Sequence, residues 1–167
     1  MSDTTIIPPE VEALRGMEFN WVCNEDIGRS SSRMYALALN YREPLCYDQE
    51  QAKKGKYGGV VLPATLICDS FQFRSWELNE FGQPDDWLDV PVGRALRASN
   101  EYEFFMPARP EDILHVNFKV TDIVGREGKS GPLAFVTFTY EYKNQHGDLL
   151  ARQRETMVSL LSVTEKV

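Results

Sequence analysis

The sequence predicts an α+β fold, an antiparallel sheet wrapped around one long central helix, and three observations carry that prediction. From about residue 96 onward, apolar and polar residues alternate with period two through four successive stretches. Short turn-forming segments join those stretches, and strands so joined must run antiparallel. The best helical stripe in the chain, Ala64 to Phe81, precedes them and offers one apolar face for a sheet to cover.

Each element has its own local reason. Residues 1–15, with Pro8-Pro9, read as an N-terminal arm that ends in a short amphipathic turn from Val11 to Leu14. Gly16 opens an extended stretch, Met17 to Val22. Asn24, Glu25 and Asp26 supply acidic start chemistry for a helix running to Leu39. From Asn40 to Lys56 the chain is polar and turn-rich, with Pro44 as its fixed point and Asp48 placed to cap a short helical turn. Gly58-Gly59 then allow a sharp turn or close approach of a ligand, and Pro63 suits the first position of a helix. In that helix Ala64, Ile67, Cys68, Phe71, Ser75 and Leu78 recur at spacings of three and four. Gly82, Pro84 and Asp85-Asp86 end it.

Leu96, Ala98, Asn100, Tyr102 and Phe104 are expected on one face of the next strand, followed by a turn over Pro107 to Asp112. Leu114, Val116, Phe118 and Val120 form the apolar face of another strand, and Gly125 to Gly131 reads as a turn. Ala134, Val136, Phe138, Tyr140 and Tyr142 follow; Asn144 to Asp148 make a hairpin; Leu149 to Val163 is the last strand. A single domain thus spans 16–163, with 164–167 as a tail. A sheet so wrapped around one helix is the hotdog fold.

Composition narrows the function classes. At 167 residues and 43% hydrophobic, the chain has enough apolar surface for one core without a metal or disulfide staple. No apolar run reaches the length of a membrane-spanning helix. The net charge of −7 argues against nucleic acid and against anionic lipid surfaces. Cys23, Cys46 and Cys68 show no metal-site or disulfide spacing, and only His115 and His146 are available as histidine ligands, so neither a metal nor a cofactor is expected. Asp85, Asp86 and Asp89 lack the spacing of a calcium loop. The N-terminus has no signal-like basic start or apolar core, and a cytoplasmic location is the expectation.

The stretch from Tyr35 to Asp48, with Ala52 and then Tyr57-Gly58-Gly59-Val60-Val61-Leu62-Pro63-Ala64-Thr65, resembles the MaoC-type (R)-specific enoyl-CoA hydratase/dehydratase superfamily, and within it the HadA-like N-terminal dehydratase branch. Phe104 to Leu114 is similar to that branch's phenylalanine–proline–arginine–proline–glycine–aspartate turn, with Glu111 in place of glycine. Gly147 to Arg154 resembles its last hairpin. The likeness runs from about Gly16 to Leu161. It implies a pocket for an acyl thioester, on CoA or an acyl carrier protein, with Tyr57, Gly58, Gly59, Val60, Pro63 and Thr65 as its binding residues.

The departure from the family pattern bears most on function. Members that hydrate a 2-enoyl thioester carry an aspartate and a histidine that hold and activate the water, while backbone N–H groups polarise the thioester carbonyl. In that register this chain reads Asn40-Tyr41-Arg42-Glu43-Pro44-Leu45-Cys46-Tyr47-Asp48, so Tyr41 stands for the aspartate and Cys46 for the histidine. An ordinary phenol ionises near pH ~10 and a thiol near ~8.5, which makes neither a ready base at neutral pH. The resemblance then implies a non-catalytic subunit paired with a hotdog partner that carries the dyad, or with a second copy of itself.

Other readings attach to the same residues. An autonomous thioesterase would use Glu43 or Asp48, and a regulatory hotdog would bind acyl-CoA without transforming it. Tyr41 either plugs the vestigial pocket or hydrogen-bonds a thioester. Gly58-Gly59 serve either the thioester arm or the turn alone. Cys46, with no histidine near it in sequence, reads as packing rather than a nucleophile. His115 and His146 read as solvated surface, and Asp48 as a cap.

Overall fold

Four antiparallel pairings build one sheet whose inner face carries the core, and everything else is laid over that face. The computed structural model describes residues 6–68 and 95–161. In chain order these form a one-turn helix α1 (Pro9–Glu12), strand β1 (Glu18–Val22), helix α2 (Arg29–Ala38), a 3-10 turn (Pro44–Cys46), helix α3 (Gln49–Lys54), and strands β2 (Ala95–Phe104), β3 (His115–Gly128), β4 (Gly131–Lys143) and β5 (Leu149–Leu160). The sheet order is β1-β3-β4-β5-β2, antiparallel throughout, as the short connections require. Of the helix expected over Ala64 to Phe81, residues 64–68 form tight turns, and the remainder lies outside the described residues.

The alternation read from the sequence sets the core. Val116, Phe118 and Val120 on β3 face the same side as Ala134, Val136, Phe138, Tyr140 and Tyr142 on β4, and all are buried. The Phe118 ring lies 5.2 Å from Phe138 and 5.0 Å from Tyr140. Val11, Ile27, Leu62, Leu66 and Ile67 close over this face from α1, the approach to α2 and the segment after α3.

Three sequence expectations meet a different outcome: the start of α2, the turn over 125–131 and the face of β2. The expected amphipathic turn from Val11 to Leu14 packs on the core, where Ile7, Val11 and Leu14 are buried. Arg15 clamps this segment to β3, donating to the Asp122 carboxylate at 3.0 Å and the Ile123 carbonyl at 2.7 Å. Helix α2 starts at Arg29, not among Asn24, Glu25 and Asp26. The backbone N–H groups of Ile27 and Gly28 bond to the carbonyls of Asp112 and Pro110, and Gly28 takes φ +76° before the helix begins. That left-handed conformation suits glycine and holds the acidic residues outside the helix.

The turn expected from Gly125 to Gly131 is mostly strand, since β3 and β4 stay paired as far as Gly128 and Gly131. Gly125 answers a packing need: a Cβ there would meet Ile6 Cβ and Ile7 Cδ1 at 3.1 Å each. Finally, the expected face of β2 is broken by a bulge between Arg97 and Ser99, which leaves Ala98 unpaired. Phe104, Tyr102 and Asn100 lie opposite inner-face residues of β5, but beyond the bulge the parity inverts. Arg97 now pairs with Met157 and reaches the buried Glu155 carboxylate, while Leu96 turns outward at 58% exposure.

The full burial of Val11 predicts that Val11→Ala lowers unfolding stability by about 2 kcal/mol, measured by urea denaturation.

Candidate functional site

The loop between α2 and α3 takes its shape from capping and backbone bonds. Pro44 begins the 3-10 turn, and the Glu43 carboxylate accepts the Leu45 N–H at 3.4 Å. The Ser32 hydroxyl, buried in α2, donates to the Cys46 carbonyl at 3.0 Å and docks the turn on that helix. Asp48 caps α3, accepting the N–H groups of Glu50 and Gln51 at 3.0 and 3.1 Å and the Gln51 side-chain amide at 2.9 Å. These bonds, Gln51's foremost, hold the Asp48 carboxyl below the usual carboxylate range.

That loop forms one wall of a cleft of about 410 Å³. Tyr41, Glu43, Leu45 and Cys46 face Phe104, Phe105, Met106, Pro107 and Ala108, which end β2 and begin the next turn, and Tyr57, Val61, Leu62, Pro63, Ala64 and Ile67 complete the lining. The two dyad positions therefore stand in one cavity, Tyr41 half-exposed and Cys46 buried. Burial pushes the Cys46 thiol above its ordinary value, and the charge of Glu43 adds to the rise. The Tyr41 phenol is raised too, first by burial and then by Cys46 and Glu43. Both groups keep their protons at neutral pH, so neither activates water by accepting one.

Of the binding residues expected from sequence, Tyr57 and Pro63 line the cleft, whereas Gly58, Gly59, Val60 and Thr65 are not among its lining residues. Thr65 shares a 3.0 Å hydroxyl–hydroxyl bond with Tyr35. Gly59 is explained by Arg109, which lies in the family-like turn and was assigned no role from the sequence. Its guanidinium donates to the Tyr57 carbonyl at 2.6 Å and the Val60 carbonyl at 3.5 Å. A Cβ on Gly59 would lie 3.1 Å from that guanidinium, and Gly58 takes φ +66°. Asp112 fixes the base of the staple by accepting the Arg109 N–H at 2.7 Å. Among the described residues Glu43 is the one carboxylate lining the cleft; Asp48 is committed to its cap. His115 and His146 are both exposed and remote from it in the lining. Among the described residues no group of His, Cys, Asp and Glu is arranged to hold a metal, and no helix is long and apolar enough to cross a membrane.

Solved structures share this architecture. The HadBC (3R-hydroxyacyl-ACP dehydratase) complex from Mycobacterium tuberculosis matches at TM-score 0.68 and 19% identity over 87% of this chain and 97% of that one. The ChsH1-ChsH2 complex from the same organism matches at 0.71 and 14% identity, over 90% and 87%. A MaoC-like dehydratase from Rhodospirillum rubrum matches at 0.64 and 22% identity, over 88% and 92%. The molecule is thus a hotdog protein with the architecture of the MaoC-like dehydratases. Its sequence places it more narrowly: the chain belongs to the FAS1-like dehydratase domain region family, whose model matches residues 13–153. A UPF0336 protein of Saccharopolyspora erythraea is 25% identical over 151 residues, covering 90% of this chain and 92% of the relative.

Two outcomes test this geometry. Arg109→Ala releases two carbonyls and the Gly59 contact, and should lower stability by about 2 kcal/mol while speeding hydrogen exchange in residues 57–60. The Asp48 cap contributes stability above the ordinary carboxylate pKa of about 4, and loses it as pH falls through the depressed folded value. Wild type should therefore melt above Asp48→Ala at pH 7, with the two curves converging under strong acid.

Proposed function

We propose that this chain is the non-catalytic subunit of a heteromeric hydratase or dehydratase acting on 2-enoyl and 3-hydroxyacyl thioesters. The observation that carries the reading is that Tyr41 and Cys46, the residues the sequence resemblance sets against the dyad, line one formed cleft and hold their protons. The cleft retains apolar walls from Leu45, Val61, Leu62, Ile67 and Met106 that suit an acyl chain. A partner hotdog subunit supplies the aspartate and histidine, in a cytoplasmic assembly.

The surface supports a partner. Among the described residues strand β2 pairs with β5 alone, so its other edge is open to a partner, and proteins rarely leave such an edge uncovered. Leu96, Tyr102, Phe104, Phe105 and Met106 are all more than a third exposed along and just beyond that edge. Met34 and Leu37 on α2 are 68% and 71% exposed. Two of the structures with this fold are named as complexes, HadBC and ChsH1-ChsH2, which agrees with assembly from unlike subunits.

The purified chain alone should bind acyl-CoA yet hydrate crotonyl-CoA and octenoyl-CoA no faster than buffer. Co-expression with a hotdog subunit bearing the intact aspartate–histidine loop should yield a stable complex with hydratase activity. Brisk hydration by the lone chain refutes the proposal. Thiol release from acyl-CoA that vanishes in Glu43→Gln points instead to a thioesterase, since Glu43 is the carboxylate at the cleft.

A further inference from the structure

The cleft opens beside a group of cations that the acidic composition of the chain does not lead one to expect. Residues 40–57 carry four cations against three carboxylates, whereas the rest of the chain has an excess of eight carboxylates. Arg42 sits between the lining residues Tyr41 and Glu43, and Lys53, Lys54 and Lys56 fall within four positions just before Tyr57. All four cations are exposed. The Lys56 ammonium lies 5.2 Å from the centre of the Tyr57 ring, which places it at the rim of the cavity that ring lines. Lys53 is taken up by Glu50 at 3.2 Å. Arg42 donates to the neutral Asn40 amide at 3.1 Å and, among the described residues, is paired with no carboxylate.

An apolar cavity with a cationic rim fits a ligand that joins an apolar chain to an anionic head. Resting on the acyl-thioester reading above, we propose that Arg42, Lys54 and Lys56 receive the nucleotide phosphates of CoA, and that the substrate is delivered as a CoA ester rather than on a carrier protein. The charge distribution decides between these carriers. A carrier protein must dock a footprint of several hundred Å², and an acidic one would meet a chain whose residues outside 40–57 carry an excess of eight carboxylates. Glu101 and Glu103, just before Phe104 on the opposite wall, are paired with Arg154 at 3.7 Å and Arg152 at 3.3 Å, so that wall offers no net positive charge in exchange. The phosphates of CoA need only the small rim, where the excess is positive.

The test titrates the purified chain with octanoyl-CoA, octanoyl-pantetheine (which lacks every nucleotide phosphate) and octanoyl-acyl carrier protein, by calorimetry at low and moderate salt. Octanoyl-CoA should bind about tenfold more tightly than octanoyl-pantetheine, an advantage that shrinks as salt screens the contacts. The triple variant Arg42→Ala/Lys54→Ala/Lys56→Ala should remove that advantage and leave octanoyl-pantetheine affinity unchanged. Should the variant fold poorly, the salt dependence of the wild-type difference decides the matter alone. Equal, salt-independent affinity for the first two ligands overturns the rim, as does tighter binding of the carrier-protein ester; both leave the acyl-thioester reading standing. Absence of binding by all three overturns that reading and the rim with it.

Discussion

The antiparallel register of β3, β4 and β5 is the constraint on which the rest of the molecule depends. These strands run 14, 13 and 12 residues, and their shared inner face is the surface that α1, the approach to α2 and the segment after α3 all cover. Side chains alternate strictly along a strand, so a slip of one residue would expose Val116, Phe118, Tyr140 and Tyr142 together and bury Lys119 and Glu141. Polar members of the inner face bond to one another: the Tyr142 hydroxyl donates to Gln153 at 2.6 Å, and Arg97 pairs with Glu155. Burial drives both Tyr140 and Tyr142 far above the ordinary phenol range, fixing them as neutral hydrogen-bonding groups.

From this base the cleft follows by short steps. Strand β2 carries Phe104 to the edge, Leu62 bonds through its N–H to the Ala108 carbonyl at 2.9 Å, and Val61 does the same with Leu45 at 3.0 Å. Three segments distant in sequence are thereby tied to one another by backbone bonds, with Arg109 as the side-chain staple. Tyr41 and Cys46 are embedded in this frame, and their chemistry is that of walls. A thiol raised by burial and a phenol raised with it give the cavity shape without giving it a base.

Much of the fold was legible because strand burial leaves a period-two record in the sequence. Strands β3, β4 and β5, the hairpin at Asn144 to Asp148 and the Asp48 cap were all readable on local grounds. What escaped was set by contacts between remote residues. Gly125 resembles a turn signal, and only the packing of Ile6 and Ile7 against it shows why glycine stands inside a strand. The start of α2 is fixed by bonds to residues 110 and 112, far along the chain. The bulge at Ala98 leaves no composition signature at all. At the site, Tyr41, Cys46, Tyr57 and Pro63 could be picked out because they share one loop region, while Phe104 to Ala108 and Arg109 join them only through the fold. Arg109 lies 52 residues from the Tyr57 carbonyl it holds, beyond the reach of any local pattern.

The unpaired Ala98 also divides the edge strand into two mechanically separate lengths. Residues 99–104 keep Tyr102 and Phe104 in step with Gln153 and Ala151, whatever happens on the far side of the interruption. Substitutions that shift residues 95–97 along β5 are absorbed at that joint before they reach the cavity mouth. One half of the strand is therefore at liberty to diverge, and to suit different neighbours, while the other half preserves the wall beside Tyr41.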